Sequence, residues 1–508
     1  MASPSILIYP RVALEASGGA QGSAIPKPSS IGIWVGAFGF SRKPVLRIAV
    51  DGVALAPPVF APDLLQPIRP AALLKAGEPC AYSGMLSVPF TQAIPSHSVT
   101  VTDSLTGVSG RADVRPVPAS LDATDDGQLN ILLVSCFYRR RATPHALGRA
   151  LDAAMKRHRH LDLTLFLGDQ VYLDLPTLEP YEDDLAFLAR RFEEKYRDNW
   201  AAQSDLAPLL AAAPSLFLPD DHEYWNNAPE FQAQLKTTWT VSGREHWRSA
   251  SRMMVDGFQG GAAQAHGEPV LLDLAPLHVF LADSRTTRGT YRSTCLSPGT
   301  LAQLRRWIDG LNALDGQHVG LFATGQSLLS APASALGGKV GDYELSNYDD
   351  YQSLVTGLLG ARRDMLLITG DVHWGRVCSF GERGGNRSIH EIISSPSALV
   401  ETLGADQLHT ASNWLKGLFG HAERWPRHSD PEVPPDRLAG WGAPMFLRRN
   451  VPLPGGSERA YLGIRGDHIA VMSLRRSKGS VEMTVSYYFA SSDQDAVTSS
   501  GPIRLGVM

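Results

Sequence analysis

The sequence NILLVSC at residues 130–136 has a form that recurs as LTLFLGD at 163–169 and as MLLITGDVH at 365–373. In each case a short, mainly apolar run leads directly into polar residues. Runs of this length are typical of strands that are covered on both faces. Between the first two runs, Leu147 and Leu151 lie near one face of a helical segment. The pattern therefore predicts strand–helix–strand units and an α/β fold.

Three further apolar runs end in the same way. They lead into PDDHE at 219–223, DSR at 283–285 and TGQ at 324–326. In open α/β sheets, functional groups gather where the carboxyl ends of the strands emerge. Six strand ends that carry Cys, Asp, His, Glu, Arg or Gln therefore predict a functional site at that edge.

Length and composition limit the classes of protein. A chain of 508 residues is too long for one ordinary domain and suggests two or three. With 44% hydrophobic and 19% charged residues it can bury large cores. Its 47 basic and 51 acidic residues give a net charge of −4, which excludes a strongly basic nucleic-acid binder. No nucleic-acid partner is expected.

Cysteine usage and hydropathy indicate a cytoplasmic protein. The four cysteines are scattered without a CxxC pair, which favours a reducing compartment. No stretch approaches the ~18 to 20 apolar residues that a transmembrane helix needs. The first residues lack a basic start followed by a long apolar run, so no export signal is evident.

Four regions differ in pattern. Residues 1–120 show period-two alternation between Pro, Gly and Ser segments, which predicts a small N-terminal β-sandwich. Residues 128–404 contain the strand ends and form the predicted catalytic domain. Residues 405–460, rich in Trp and Pro, are predicted to be an insertion or lid, with a packed helical cover as the alternative. Residues 461–508 are predicted to add C-terminal strands to the catalytic domain.

The residue types at the strand ends favour metal ions over an organic cofactor. No Gly-rich dinucleotide or phosphate loop occurs at a strand–helix junction. Asp169 can share its two carboxylate oxygens between two cations. His222 and His373 offer imidazoles, and Asp221 and Asp371 offer hard oxygen ligands. Two adjacent cations would activate a bridging water and neutralise an anionic substrate.

Each motif also has a purely structural interpretation. Arg285 could hold phosphate oxygens by paired hydrogen bonds, or it could pair with Asp283. Asp169 alone is compatible with a strand-end turn, and residues 220–223 with a helix cap. Cys136 alone is more often a small buried hydrophobe than a ligand. It is the joint occurrence of these motifs that favours a site.

Taken in order, the motifs resemble those of one known family, the alkaline phosphatase D (PhoD-like) family of metallophosphoesterases with the calcineurin-like fold. The resemblance covers roughly residues 130–400. It implies an αββα sandwich of two mixed sheets flanked by helices, with a multinuclear metal site, and it supports the small N-terminal β-sandwich. The segments that carry it are 135–136, 168–172, 220–223, 283–285, 370–373 and 391–396.

The resemblance also implies roles for individual residues. Asp169 is the bridging carboxylate, and Cys136 stands where other metallophosphoesterases have an Asp-x-His pair. Tyr172 adds a phenolate to the same metal, although simple packing in the loop is its alternative. Asp221 stands at the Asn of the Gly-Asn-His motif, and His222 matches its histidine, which lies beside the substrate. Thiolate, phenolate and carboxylate on one centre favour ferric iron (Fe3+) over a divalent ion.

The second half of the site follows from the Gly-His-x-His block. His373 matches its second histidine, and Asp371 replaces the first. Asn226 or Asn227 could add an oxygen ligand. We expect a harder divalent ion, Ca2+, Mn2+ or Mg2+, near Asp221 and Asp371.

The sequence therefore predicts a metal-dependent phosphoric ester hydrolase, a phosphatase. The expected mechanism is in-line attack on phosphorus by a metal-bound hydroxide, with His222 protonating the leaving alkoxide. The expected substrate is a small-molecule or lipid phosphate ester. A phosphodiesterase or phospholipase-D-like enzyme on the same fold is the alternative, because fold does not fix substrate. A binding protein without turnover is a rival of another class.

Overall fold

The structure is a computed structural model, and it describes most of the chain. The predicted insertion or lid at 405–460 lies for most of its length outside the described residues. The described residues are 3–14, 28–55, 64–88, 96–139, 142–176, 179–260, 267–330, 332–333, 342–398, 441, 445–446, 449–452, 458–461, 464, 466–477, 480–490 and 497–506.

The chain is mixed α/β, as predicted, with several mixed sheets and flanking helices. In chain order the strands are β1 (Ser5–Leu14), β2 (Pro28–Phe40), β3 (Leu46–Val50), β4 (Val53–Ala54), β5 (Gln66–Pro67), β6 (Cys80–Val88), β7 (His97–Asp103), β8 (Ser109–Val114), β9 (Gln128–Val134), β10 (Leu163–Leu167), β11 (Ser215–Leu218), β12 (Val270–Leu274), β13 (Leu277–Leu281), β14 (Val319–Ala323), β15 (Asp364–Thr369), β16 (Arg376–Gly381), β17 (Ser388–Ile393), β18 (Met445–Phe446), β19 (Arg449–Pro452), β20 (Glu458–Tyr461), β21 (His468–Ser477), β22 (Ser480–Phe489), β23 (Val497–Ser499) and β24 (Ile503–Leu505). The helices are α1 (Ala146–His158), α2 (Leu185–Trp200), α3 (Ala207–Ala212), α4 (Val241–Met254), α5 (Pro298–Ala313) and α6 (Tyr351–Leu359).

Two large sheets hold the strands whose ends carry the motifs. The first sheet has the order β23-β22-β21-β9-β10-β11-β1-β2-β6-β5, and β24 pairs with β22. Within it β9, β10 and β11 are parallel. The second sheet has the order β12-β13-β14-β15-β17-β16-β18, with β13, β14, β15 and β17 parallel. Parallel pairing brings the carboxyl ends of these strands to one edge of each sheet.

Side-chain alternation places a hydrophobic core between the two sheets. Ile131 and Leu133 of β9 point into this core, as do Val279 and Leu281 of β13. Leu132, on the opposite face of β9, packs with helices α1 to α4. The outer face of the second sheet packs against α5 and α6. Burying each such leucine or isoleucine stabilises the fold by about 1.5–3 kcal/mol, so strands covered on both faces read as continuous apolar runs.

The N-terminal strands enclose a core of their own but continue the first sheet. The sheets β1-β2-β6-β5 and β4-β3-β7-β8 pack around a separate hydrophobic cluster. Strand β1 also pairs in parallel with β11, with Arg11 opposite Ser215. The buried pair of Arg69 and Glu193, 2.6 Å apart, ties the same region to α2. The first sheet therefore runs without a break across the boundary predicted near residue 120.

The C-terminal strands form one end of the first sheet. Strand β21 pairs antiparallel with β9, with Ala470 opposite Leu133, and then with β22. Within the described part of the chain, no helix is both long and apolar enough to cross a membrane.

Candidate metal centre

The polar residues that follow the strands meet at one place between the two sheets. Strands β9, β10 and β11 deliver residues of the first sheet, and β15 delivers those of the second. Five of the six predicted ligands (all but Tyr172), the predicted acid and Asp220 fall into three overlapping groups. Within each group the possible ligand atoms all lie within 4.8 Å of one another. The groups are Cys136, Asp169 and His373; Asp169, Asp221 and His222; and Asp220, Asp221 and Asp371.

Asp169 belongs to the first two groups and Asp221 to the last two. A residue shared by neighbouring groups is what a bridging carboxylate requires, because its two oxygens can face two cations. The overlapping groups thus offer adjoining cation positions that share Asp169 and Asp221.

The backbone at the site is held in an unusual conformation. Cys136, Asp169, Asp371 and His373 all have positive φ, at 55°, 61°, 64° and 58°. For residues other than glycine this region is sparsely populated and costs about 1–3 kcal/mol per residue. Such residues cluster at functional sites, where the surrounding structure holds them in place.

Two glycines allow the strand ends to approach each other. Gly168 has φ 96°, and a Cβ there would lie 2.5 Å from Cβ of Asp220. A Cβ on Gly370 would lie 2.3 Å from Oγ of Ser135 and 2.5 Å from the carbonyl oxygen of Leu167. Any side chain at either position would push apart the loops that carry the acids.

Cys136 and Tyr172 lie on the same side of Asp169. The Sγ atom of Cys136 and the hydroxyl of Tyr172 are each 3.5 Å from Oδ2 of Asp169, and the hydroxyl is also 3.5 Å from Nε2 of His373. Burial raises the pKa of the Cys136 thiol well above its usual value, and the nearby carboxylates of Asp169 and Asp371 raise it further. The pKa of Tyr172 is also raised well above its usual value, first by burial and then by the neighbouring Cys136 and Asp169. Thiolate and phenolate at neutral pH therefore need a cation beside them.

The carboxyl groups repel one another in the same way. Burial raises the pKa of Asp169 well above its usual value, and Asp221 adds to the shift. The pKa of Asp371 is likewise raised by burial and then by Asp220 and Asp221. Burial also raises the pKa of Asp220, to about 6, despite its contact with Arg285. A cation would remove this repulsion.

Several buried oxygens have no protein partner to satisfy them. Among the described residues, Oδ2 of Asp220, Oδ1 of Asp221 and Oδ1 of Asn227 accept no hydrogen bond. Asn227 is oriented by its backbone N–H, which donates to Oδ2 of Asp221 at 3.2 Å. Orphaned buried oxygens beside acids, thiol and imidazole fit hard and borderline cations. Of the two asparagines considered, Asn227 supplies such an oxygen.

His222 lies against the acids and is held by a residue that the sequence did not single out. Its Nδ1 is 2.7 Å from Oδ1 of Asp174, and its ring centroid is 4.1 Å from that of Tyr172. Burial lowers the pKa of His222, but Asp174, Asp221 and Asp169 outweigh it and raise the pKa well above its usual value. The surrounding carboxylates thus favour the protonated form of the ring, which is the form that a proton donor needs.

Arg285 lies beside the site with its guanidinium directed at protein groups. Its Nε donates to Oδ1 of Asp220 at 2.8 Å and its Nη2 to Oδ2 of Asp342 at 2.6 Å. Nη1 donates to the carbonyl oxygen of Ala228 at 2.9 Å. Asp283, the alternative partner, accepts a hydrogen bond from the backbone N–H of Arg285 but none from its guanidinium group. This geometry favours a role in holding Asp220 over contact with a substrate.

A buried glutamate organises the loops that carry the acids. The carboxylate of Glu223 accepts the backbone N–H groups of Asp169 (2.8 Å), Gln170 (2.6 Å), Val171 (3.2 Å) and Asp220 (2.8 Å). Glu223 lies in the sequence motif at 219–223, but the motif itself indicates no role for it. The feature of the sequence that could have indicated a role in the site is its position directly after the histidine that follows a strand end.

Gln326 reaches the second-sheet side of the site. Its Nε2 lies 3.2 Å from Oδ2 of Asp371 and also donates to Oδ2 of Asp342. Arg288 donates to Oε1 of Gln326 at 2.6 Å, which fixes the amide orientation. Asp342 lies in a loop far along the chain, and no sequence pattern marked it.

Fold and site define a mixed α/β protein with a candidate multinuclear metal centre. No protein-family model matches the chain, and no curated protein matches it in sequence. One solved structure, titled "Bacteroides uniformis beta-glucuronidase 2 covalently bound to cyclophellitol-6-carboxylate aziridine", aligns with 96% of this chain at 7% identity and a TM-score of 0.19. The chain spans 61% of that protein's length. At this TM-score the likeness carries no argument about fold or function.

Proposed function

We propose that the protein is a metal-dependent phosphoric ester hydrolase of the PhoD-like type. The observation that carries the proposal is the position of Asp169, which lies with Cys136 and His373 in one group and with Asp221 in another, while the ring of His222 beside it is held by Asp174. A shared carboxylate suits two cations, and an acid next to them suits cleavage of an ester. A binding protein needs the first feature but not the second.

The arrangement of layers supports the same proposal. The two large sheets share one core, and helices cover the outer face of each. This is the order of layers that the metallophosphoesterase resemblance implies. The candidate centre lies at the strand ends, as that resemblance also implies.

Bound cations would supply a nucleophile from water and screen the charge on the phosphoryl oxygens. Asp169, Asp221, Asp371 and His373 would hold them. His222 would donate the proton that the leaving oxygen needs, with Asp174 keeping its Nδ1 occupied so that Nε2 serves the ester.

The donor set suggests which cations bind where. Cys136, Tyr172, Asp169 and His373 combine thiolate, phenolate, carboxylate and imidazole, which suits ferric iron. Asp220, Asp221, Asp371 and Asn227 offer only oxygen, which suits Ca2+, Mn2+ or Mg2+.

The test is a metal analysis of the purified protein together with an ester panel. We expect more than one metal ion per chain and turnover of p-nitrophenyl phosphate or bis-p-nitrophenyl phosphate. Chelation should abolish turnover, and readdition of iron with a divalent ion should restore it. A higher rate on the second ester would identify a phosphodiesterase. Bound metal without turnover of any ester would contradict the proposal and favour a binding protein.

A further inference from the structure

Helix α2 contacts the loop after β10 through one face. Lys195 and Asn199 lie four residues apart, which places them one turn apart on the same side of the helix. Asn199 Nδ2 donates to the carbonyl oxygen of Gln170 at 2.7 Å. Lys195 Nζ donates to the carbonyl oxygens of Leu173 at 2.6 Å and Leu175 at 2.8 Å. The helix therefore donates hydrogen bonds to three carbonyl oxygens of the loop. These oxygens need such donors because the described part of this irregular loop forms no helix or sheet hydrogen bonds of its own.

The contacts of Lys195 use every donor that it has. Its third hydrogen bond goes to the hydroxyl of Tyr181 at 2.5 Å, and this hydroxyl donates to the carbonyl oxygen of Leu173 at 2.7 Å. Glu179, which also pairs with Arg191, lies 3.3 Å from Nζ of Lys195. The Lys195 side chain is only 11% exposed. An ammonium group has three donors, and removing it from water is costly unless all are satisfied. The protein therefore provides a hydrogen-bond partner for each of the three donors of this buried ammonium group.

The residue between the two carbonyls is Asp174. Its side chain is fully buried, with Oδ1 2.7 Å from Nδ1 of His222 and Oδ2 accepting the backbone N–H of Asn226 at 2.9 Å. Holding the carbonyls on both sides fixes the backbone of Asp174, and the Asp174 carboxylate in turn fixes the ring of His222. A continuous series of contacts thus leads from α2 to the imidazole.

We propose that Lys195 is a positioning residue that orients His222 through Asp174. The proposal rests on the proposed function in that His222 is taken as the proton donor to the leaving group. The hydrogen bonds of Lys195 go to Leu173, Leu175 and Tyr181, none of which is a candidate ligand, so its removal should misplace the acid and leave the metals bound.

The test is Lys195→Met, which keeps the length of the side chain and removes its donors. We expect kcat on an alkyl phosphate to fall about 10- to 100-fold, as when other orienting partners are removed. For p-nitrophenyl phosphate, whose leaving group needs little protonation, the loss should be small. Metal content should be unchanged. Lys195→Arg should recover part of the loss, and Lys156→Met, at an exposed position on α1, is the matched control.

Two further measurements test the link between Lys195 and His222. Tyr181→Phe should produce a weaker change in the same direction, and it replaces Lys195→Met if that variant does not fold. Carbethoxylation of His222 by diethyl pyrocarbonate, followed by peptide mass spectrometry, should become several-fold faster in Lys195→Met, while buried His390 should not change.

The outcomes separate the two proposals. Equal losses on both esters with lower metal content, or an unchanged reactivity of His222, would overturn the role of Lys195. Absence of turnover in the unmodified protein would overturn the proposed function alone, because the carbethoxylation measurement does not depend on activity.

Discussion

The two sheets contribute unequal halves to the candidate centre. The first-sheet half, comprising Cys136, Asp169, Tyr172, Asp221 and His222, is buried, and Glu223 organises its loops through four backbone N–H groups. The second-sheet half, Asp371 and His373, is half-buried.

The backbone support of the second-sheet half comes partly from the first sheet and partly from the segment after β17 of its own sheet. The N–H of Asp371 donates to Oγ of Ser135 at 3.2 Å, and the N–H of His373 donates to Oγ of Ser395 at 3.1 Å. The first-sheet half is thus held by a buried carboxylate within its own loops, whereas Asp371 of the second half depends on Ser135 of the first. We therefore expect the first half to decide whether metals bind and the second to tune one of them.

The largest effect expected from this comparison is that of Asp169→Asn against Asp371→Asn. Because Asp169 is shared by two groups, its change should remove more than one ion and lower turnover on the order of 10³-fold or more. Asp371 belongs to one group, so Asp371→Asn should lose mainly the divalent ion and less activity. Metal content per chain and initial rates measure both, with circular dichroism as the folding control. Equal metal loss in the two variants would remove the distinction between the halves.

A smaller but more specific effect is expected from His222→Ala. Loss of a general acid should lower kcat by about 10²- to 10⁴-fold for alkyl esters and much less for p-nitrophenyl esters. Metal content should stay near that of the unmodified protein. If both ester classes lose activity equally and metal is lost as well, His222 is a ligand and not the acid.

Tyr172→Phe tests the proposed binding of ferric iron by the first-sheet half. Phenolate or thiolate bound to ferric iron should give the concentrated protein a visible absorption band that dithionite bleaches. Tyr172→Phe should shift or abolish the band, because the phenolate donor is gone while Cys136 remains. Colourless, fully active protein that contains zinc would contradict the ferric assignment and leave the hydrolase proposal intact.

The smallest effect concerns stability in acid, where the two sheets should behave alike. His158, which contacts Tyr488 of the first sheet, and His390 in the second sheet are both buried, and burial lowers the pKa of each to about 4. In this pH range the unfolded state binds more protons than the folded state, so stability falls as pH drops from about 6.5 to about 4. Each histidine contributes up to about 3 kcal/mol of this loss.

Urea unfolding at pH 7.5 and pH 5 measures the acid effect. His158→Gln and His390→Gln should each make the difference between the two pH values smaller than in the unmodified protein. A variant with the same pH dependence as the unmodified protein would show that its histidine does not titrate in this range.

The sequence was sufficient to predict what local pattern controls. Apolar runs such as residues 131–134 identified strands covered on both faces, and their polar ends identified the residues that meet at the candidate centre. Parallel pairing then brings these polar residues together without any need to know the exact strand geometry, because the carboxyl ends of parallel strands lie at the same edge of a sheet.

The remainder depends on contacts between distant parts of the chain. Asp174 lies in an irregular loop, and its role arises only from the position of His222. Arg285 meets Asp342, 57 residues away, and no spacing rule connects them. The pairing of β1 with β11 links Arg11 to Ser215, which a strand pattern near the N-terminus does not reveal.

The position of β21 has a consequence for biosynthesis. Strand β9, which ends at the loop of Cys136, has its second neighbour only when residues 468–477 have been made. Until then β9 is the edge strand of this sheet, and its apolar edge is unpaired. Pairing across more than 300 residues also makes closure of that sheet slow. The sheet that carries the candidate metal centre is therefore completed only at the end of synthesis, and we expect the yield of folded protein to depend on chaperones that shield such edges.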